Sequence, residues 1–365
     1  MICAERAAWV VGTAHEMEVA ADFAITLPAL PGDTPESLAV RLSDELKSED
    51  AALLRTDFFG PRWLAPAFRS AMAARTQVAP VVCVDGQSCE GGIAGLQAFA
   101  VKGVSVSPID LYGKTVGVCY EDAAARYAVL GDLYSPDPTG LPGAQGRHPF
   151  EWMEEALLSE GFDFHDIVRT WLFADSILDW YDDLNIVRSQ FFRQRSLFGC
   201  FVPASTGTGM PNDHGAALVG SALAMRPKGG GASVRAVTSP LQCPALDYGS
   251  AFSRAAEMRR GNRRTLSVSG TASIAPGGAT LHVGHVDEQI VCTMAVVEAL
   301  LANAGYGFED ASRAIVYAAV PEAGAAYESF CRARSIPSFP TLIVRADICR
   351  DDLLFEIEID AERSR

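Results

Sequence analysis

Apolar residues recur at helical spacing through Pro149–Ser159 and Gln289–Asn303, and again through Ile177–Phe192 and Ala323–Arg334, so these four stretches predict amphipathic helices. Between the members of each pair the period shortens. The runs Val168-Arg-Thr-Trp-Leu-Phe173 and Arg313-Ala-Ile-Val-Tyr317 are short and rich in β-branched and aromatic residues, which predicts strands. After Pro203 and Pro340 further β-type segments follow. The last is clearest: Leu342–Ile348, a turn at Cys349-Arg-Asp-Asp352, then Leu353–Asp360.

This order of elements occurs twice. Glu155-Ala-Leu-Leu, Gly161-Phe-Asp-Phe-His-Asp166 and Arg169 match Glu298-Ala-Leu-Leu, Gly305-Tyr-Gly-Phe-Glu-Asp310 and Arg313 at one constant interval. Upstream, Arg126-Tyr-Ala-Val-Leu-Gly131 aligns with Arg264-Thr-Leu-Ser-Val-Ser-Gly270 with one gap. The copies predict α+β units, each a mixed sheet with its helices on one face. They are not chemically equal: the count from Pro340 to Glu356, applied from Pro203, reaches Val219. The Gly-rich Pro227-Lys-Gly-Gly-Gly231 reads as the linker. The domains expected are 1–226, holding a degenerate unit at about 80–226, and 227–365. The first hundred residues match neither copy.

Composition narrows the function. With 49% hydrophobic and 21% charged residues the chain is globular rather than disordered, and a net charge of −15 opposes binding to nucleic acid. An anionic ligand would need a local cationic pocket, for which the cluster Arg254–Arg264 is one source. The start, Met-Ile-Cys-Ala-Glu-Arg, lacks the pattern of a signal peptide, and no apolar run approaches the roughly 18 residues that span a bilayer, so a cytoplasmic, membrane-free protein is expected. Nine scattered cysteines without a CxxC pair predict reduced thiols and neither disulfides nor zinc. His282 and His285 stand beside Asp287 and Glu288, but no distant third ligand accompanies them and no metal site is expected.

Several motifs carry a resemblance. The strand Ser269-Gly-Thr-Ala-Ser-Ile274, the Gly-Phe-Glu-Asp310 helix end and the terminal Phe355-Glu-Ile-Glu-Ile359 are similar to the RidA/YjgF fold, a chorismate mutase-like unit that packs as a trimer with sites between subunits. Pro203-Ala-Ser-Thr-Gly207, Asp247-Tyr-Gly-Ser-Ala-Phe-Ser-Arg254, Ser269-Gly-Thr-Ala-Ser273 and Ala346-Asp-Ile-Cys-Arg-Asp-Asp-Leu-Leu-Phe-Glu356 more closely resemble the chorismatase family, in the family's order and over most of the chain from about residue 80. That resemblance implies chorismate as substrate, pyruvate as one product, no metal or cofactor, and a monomer or homotrimer. The Cys at 349, with Gly270, resembles the branch that forms 3-hydroxybenzoate rather than a dihydroxycyclohexadiene acid or mixed 3- and 4-hydroxybenzoates.

The resemblance assigns Glu356 as the acid that protonates the enolpyruvyl methylene, with Glu358, on the same strand face, as the alternative. Cys349 is expected beside the ring, where it excludes the attacking water. Two substrate carboxylates call for arginine clamps and hydroxyl donors. Arg254 with Tyr248 and Ser253 is the first choice and Gly270 a site position; Arg264 and Arg263 are weaker candidates, and Arg169 reads equally as a binding or a structural residue because Arg313 occupies its repeat-equivalent position. Ser205, Thr206 and Gly207 are a possible donor loop. A RidA-type enamine or imine deaminase is disfavoured because Leu342 stands where that group has arginine, and a non-catalytic module for small aromatic acids is the remaining rival.

Overall fold

The computed structural model describes residues 9–11 and 20–364, so Cys3 and the amino-terminal hexapeptide lie outside the described residues. Three mixed sheets follow one another along the chain. The first contains β1 (Trp9–Val11), β2 (Ala21–Pro28), β3 (Ala51–Phe59), β4 (Val81–Val84) and β5 (Gly95–Lys102), in spatial order β1-β2-β5-β3-β4. The second holds β6 (Ser107–Leu111), β7 (Lys114–Glu121), β8 (Ala125–Tyr134), β9 (Ile167–Ala174), β10 (Ala204–Gly209) and β11 (Leu218–Pro227), ordered β6-β7-β8-β11-β9-β10. The third holds β12 (Ala232–Val237), β13 (Ala255–Arg260), β14 (Arg263–Ala272), β15 (Ala311–Ala318), β16 (Thr341–Arg345) and β17 (Phe355–Ser364), ordered β12-β13-β14-β17-β15-β16.

These orders are one connectivity. In each sheet the pairs β3/β4, β9/β10 and β15/β16 run parallel and all other neighbours run antiparallel. Helices α1 (Pro35–Ser48) and α2 (Ala65–Ala73) serve the first sheet, α3 (Pro142–Gln145), α4 (His148–Ser159) and α5 (Ile177–Gln194) the second, and α6 (Val286–Ala304) and α7 (Glu322–Ala333) the third. The two copies legible in the sequence are the second and third sheets. The first sheet repeats their order with one strand fewer, in residues that internal comparison left unmatched. Pro227–Gly231 joins β11 to β12, between the second and third sheets.

The repeated punctuation has local causes. Gly161 (φ +72°) and Gly305 (φ +81°) end α4 and α6 in the left-handed conformation that favours glycine. Asp166 and Asp310 each accept the backbone N–H three residues upstream at 2.8 Å, closing the turn into β9 or β15. One expectation changes: the segments around Cys349–Asp352 do not form a hairpin. Strand β15, buried along its whole length, lies between β16 and β17, so the turn is a crossover.

Strand alternation builds two kinds of core. Phe58 stacks on Phe68 of α2 beneath the helices, whereas its neighbour Phe59 joins Trp171, Phe173, Ile315 and Tyr317 in a cluster shared by all three sheets. The helix-free faces therefore surround a common axis. Contact is cyclic: β4 meets β8, β10 meets β14, and β16 meets β2. Arg55, Arg169 and Arg313 occupy equivalent registers on β3, β9 and β15, and all three are completely buried at the axis.

Candidate active site

Phe355, Ile357, Ile359 and Ala361 of β17 enter the helix-side core, so Glu356, Glu358 and Asp360 turn towards the axis. Two of the three meet arginines. Arg313 donates from Nε to Asp360 at 2.5 Å and from Nη1 to Glu358 at 2.7 Å. Arg169 Nη2 and Trp171 Nε1 donate to Glu358 at 2.9 and 3.0 Å. Burial alone would raise the Glu358 pKa, but the charges of Arg313 and Arg169 and the bonds from Thr206 and Arg313 bring it down to about 2. Glu358 is a permanent carboxylate and not a proton donor.

Glu356 is the opposite case. Its side chain is buried, it faces the cleft between the second and third sheets, and among the described residues no group hydrogen-bonds its carboxyl. Burial first, and the anionic Glu358 second, raise its pKa to about 8 against a smaller opposing pull from Arg254. At neutral pH it holds a proton. The space it occupies comes from β14, where a Cβ at Gly270 would stand 2.0 Å from Glu356 Oε1. Gly270 N–H donates to Thr206 Oγ1 at 3.0 Å and Ser205 N–H to Ser269 Oγ at 2.9 Å, which stitches β10 to β14.

Three arginines line the cleft that this carboxyl faces. Arg254 lines the cleft while its Nε and Nη2 donate to the carbonyl of Cys243 at 3.0 and 2.9 Å. Arg350 also lies near the Tyr248 ring and donates to Gly278 O at 2.6 Å. Arg188 comes from α5, which breaks at Trp180 (φ −147°, ψ 19°) and then carries Tyr181, Leu184 and Arg188 on one cleft-facing stripe. Arg188 is buried, donates to Asn185 Oδ1 at 2.7 Å, and has a free Nε. Three guanidinium groups thus share one cleft with a protonated acid.

Cys349 starts the crossover into β17 and packs at the seam of the second and third sheets. Burial and then the Glu356 charge push its thiol up to about 12, so it is a neutral, space-filling group and not a nucleophile. Tyr181 stands beside it, within 3.4 Å of Ser250.

The structure brings Glu356, Cys349, Arg254, Tyr248 and Gly270 together in the cleft and places three expected residues elsewhere. Ser253 Oγ donates to Val202 O at 2.6 Å and anchors the segment that carries Arg254. Arg264 pairs with Glu257 and donates to Ala304 O at 2.7 Å, away from the cleft. Arg169 is spent on Glu358, Thr206 and Val268 O. Their expected substrate contacts are corrected to structural ones, because each already has buried partners. Arg263 likewise holds Asp22 and Glu362. Ser205 and Gly207 line the cleft, whereas Thr206 points to the axis. His282 pairs with Glu288 at 2.8 Å. Arg188, Arg350 and Tyr181 were missed. Their signal was weak: one arginine on the apolar stripe of a helix, and one beside Cys349.

No protein-family model matches the chain. Its sequence is 27% identical over 277 residues, 68% of this chain and 77% of the relative, to a 3-hydroxybenzoate synthase from Streptomyces hygroscopicus. A crystal structure of a chorismatase superposes with a TM-score of 0.66 at 20% identity, covering 95% of this chain and 100% of that one. The YjgF gene product of E. coli matches with a TM-score of 0.29 at 20% identity, over 35% of this chain and 98% of its own. The architecture is the chorismatase fold, built from three units of one connectivity. The chain thus shares its fold with a chorismatase and part of its sequence with a 3-hydroxybenzoate synthase.

Proposed function

We propose that this protein converts chorismate to 3-hydroxybenzoate and pyruvate, with Glu356 as the proton donor. The observation that carries the reading is a buried, protonated carboxyl without a hydrogen-bonding partner among the described residues, in a cleft lined by Arg188, Arg254 and Arg350. Those arginines suit the two carboxylates of chorismate, and the acid suits an enol ether, whose methylene is basic. Protonation there gives an oxocarbenium ion and weakens the ring C3–O bond. The neighbouring 4-hydroxyl oxygen then attacks C3 and pyruvate leaves. The resulting epoxide opens at C4–O and loses a ring proton to give the phenol.

The atoms balance, since chorismate is isomeric with 3-hydroxybenzoate plus pyruvate, and no oxidant or reductant is required. Glu356, ionised after the first step, takes a proton back in the later ones, and a pKa near 8 serves both directions. Cys349 supports the benzoate outcome because its neutral thiol occupies the seam that an attacking water would need. Incubation of the purified protein with chorismate, with chromatographic identification of the ring product, tests this. Cys349→Ala is expected to divert part of the flux to a dihydroxycyclohexadiene acid. An unchanged product ratio in that variant removes Cys349 from the account, and a diene diol from the wild type overturns the choice of product.

A further inference from the structure

A continuous set of buried contacts runs from the axis to Glu356. Arg313 and Arg169 hold Glu358 from two sheets, Arg169 Nη2 is shared with Thr206 Oγ1 at 2.9 Å, and Thr206 in turn receives the Gly270 N–H. Gly270 is the residue whose missing side chain leaves room for the Glu356 head. None of Thr206, Arg169 and Glu358 lines the cleft. Glu358 and Thr206 already have their partners, so the chain of contacts ends on a carboxyl that has none among the described residues.

We propose that Thr206, Arg169 and Glu358 are positioning residues for the chemistry at Glu356: Thr206 holds the Gly270 backbone so that the acid can face the cleft, and Glu358 is the fixed anion that keeps the proton on it. This rests on the function proposed above. The titratable and charged groups around Glu356 are Glu358 on its own strand, Tyr317 on β15, Arg254 and Tyr248 from the segment before β13, Tyr181 and Arg188 on α5, and Cys349 and Arg350 in the crossover. Of the cations, Arg254 is the one that draws the proton off. Burial and Glu358 are what oppose it, and Glu358 can do so only because Arg169 and Arg313 offset the cost of its own burial.

A purely structural ion cluster would lower stability and rate together at every pH. A positioning role moves the pH profile. The test is kcat/KM for pyruvate release across pH in wild type, Glu358→Gln, Thr206→Val and Thr206→Ser, alongside infrared detection of the protonated carboxyl band assigned with Glu356→Gln. In Glu358→Gln the alkaline limb, and the pH at which the Glu356 band disappears, move down by about one unit or more. Thr206→Val lowers kcat roughly tenfold with KM little changed, and Thr206→Ser restores it. If Glu358→Gln does not fold, Glu358→Gln with Arg169→Met removes both charges together, and its limb still moves down. A folded variant with an unmoved limb and an unmoved band overturns the role of Glu358, and wild-type kcat in Thr206→Val overturns that of Thr206. If the wild type releases no pyruvate, the functional reading fails, while the infrared band still judges Glu358.

Discussion

Glu356 and Glu358 are two residues apart on one face of one strand, yet one keeps its proton and the other never does. The difference lies in their partners, since both are buried: Glu358 has two arginines and an indole N–H, and Glu356 has only a lesser pull from Arg254. This asymmetry has a sign in stability. The folded-state pKa of Glu356, about 8, lies above its ordinary 4.5, so its contribution is fully present below about pH 4.5 and is lost as pH rises through 8. Thermal melts of Glu356→Gln are therefore expected to decline less than those of wild type between these limits, and parallel declines would contradict the burial of a protonated acid. At the same scale, Arg188 presents a planar donor group to the cleft. Arg188→Lys should raise KM for chorismate about tenfold with a smaller change in kcat, read from steady-state pyruvate release.

Between elements, the decisive contact is β10 against β14, where Gly270 makes space for the acid of β17. Gly270→Ala puts a methyl group where the Glu356 oxygen now sits, so the far end of that side chain has to move and the Thr206 methyl, 3.1 Å from the new carbon, has to give slightly. The variant should still fold, with a melting temperature lowered only slightly, and lose roughly tenfold in kcat through displacement of the proton donor. Unchanged kcat would mean that the carboxyl has a second productive position. Much of this region was legible in the sequence. The alternation Phe355-Glu-Ile-Glu-Ile359 gives a strand with two carboxylates on one face, and the Gly270 and Cys349 motifs mark their surroundings. It could not tell which carboxylate is ionised, because Arg169 and Arg313 reach Glu358 from strands far apart in the chain. Nor did it offer Arg188, since an arginine on an apolar helical stripe reads as core or surface until the kink at Trp180 turns that stripe to the cleft.

At the scale of the whole molecule, three units of one connectivity close a ring inside one chain and leave three junctions between sheets. Strand register equates Glu356 with Val219 and with Gly95. Gly270 is equivalent to Asp132, which the β8–β4 junction fills with bonds to Arg69, His214 and Lys114. The junction of β10 with β14 alone, among these, carries the acid. One substrate analogue is therefore expected per chain by calorimetric titration, and the mass in light scattering should be that of a monomer, because the ring satisfies its own interfaces. Binding at more than one equivalent would show that another junction is open. The third unit was hidden because the first sheet shares strand order with the others but not their Gly and Asp punctuation, and order without punctuation leaves no trace in sequence self-comparison. The central claim is that this chain removes pyruvate from chorismate with the Glu356 proton. Its most direct test is pyruvate release from chorismate at pH 7 by wild type and Glu356→Gln. The account predicts steady release by the wild type and a loss of roughly 10²–10⁴-fold in the variant; no release by the wild type, or equal rates in both, would contradict it.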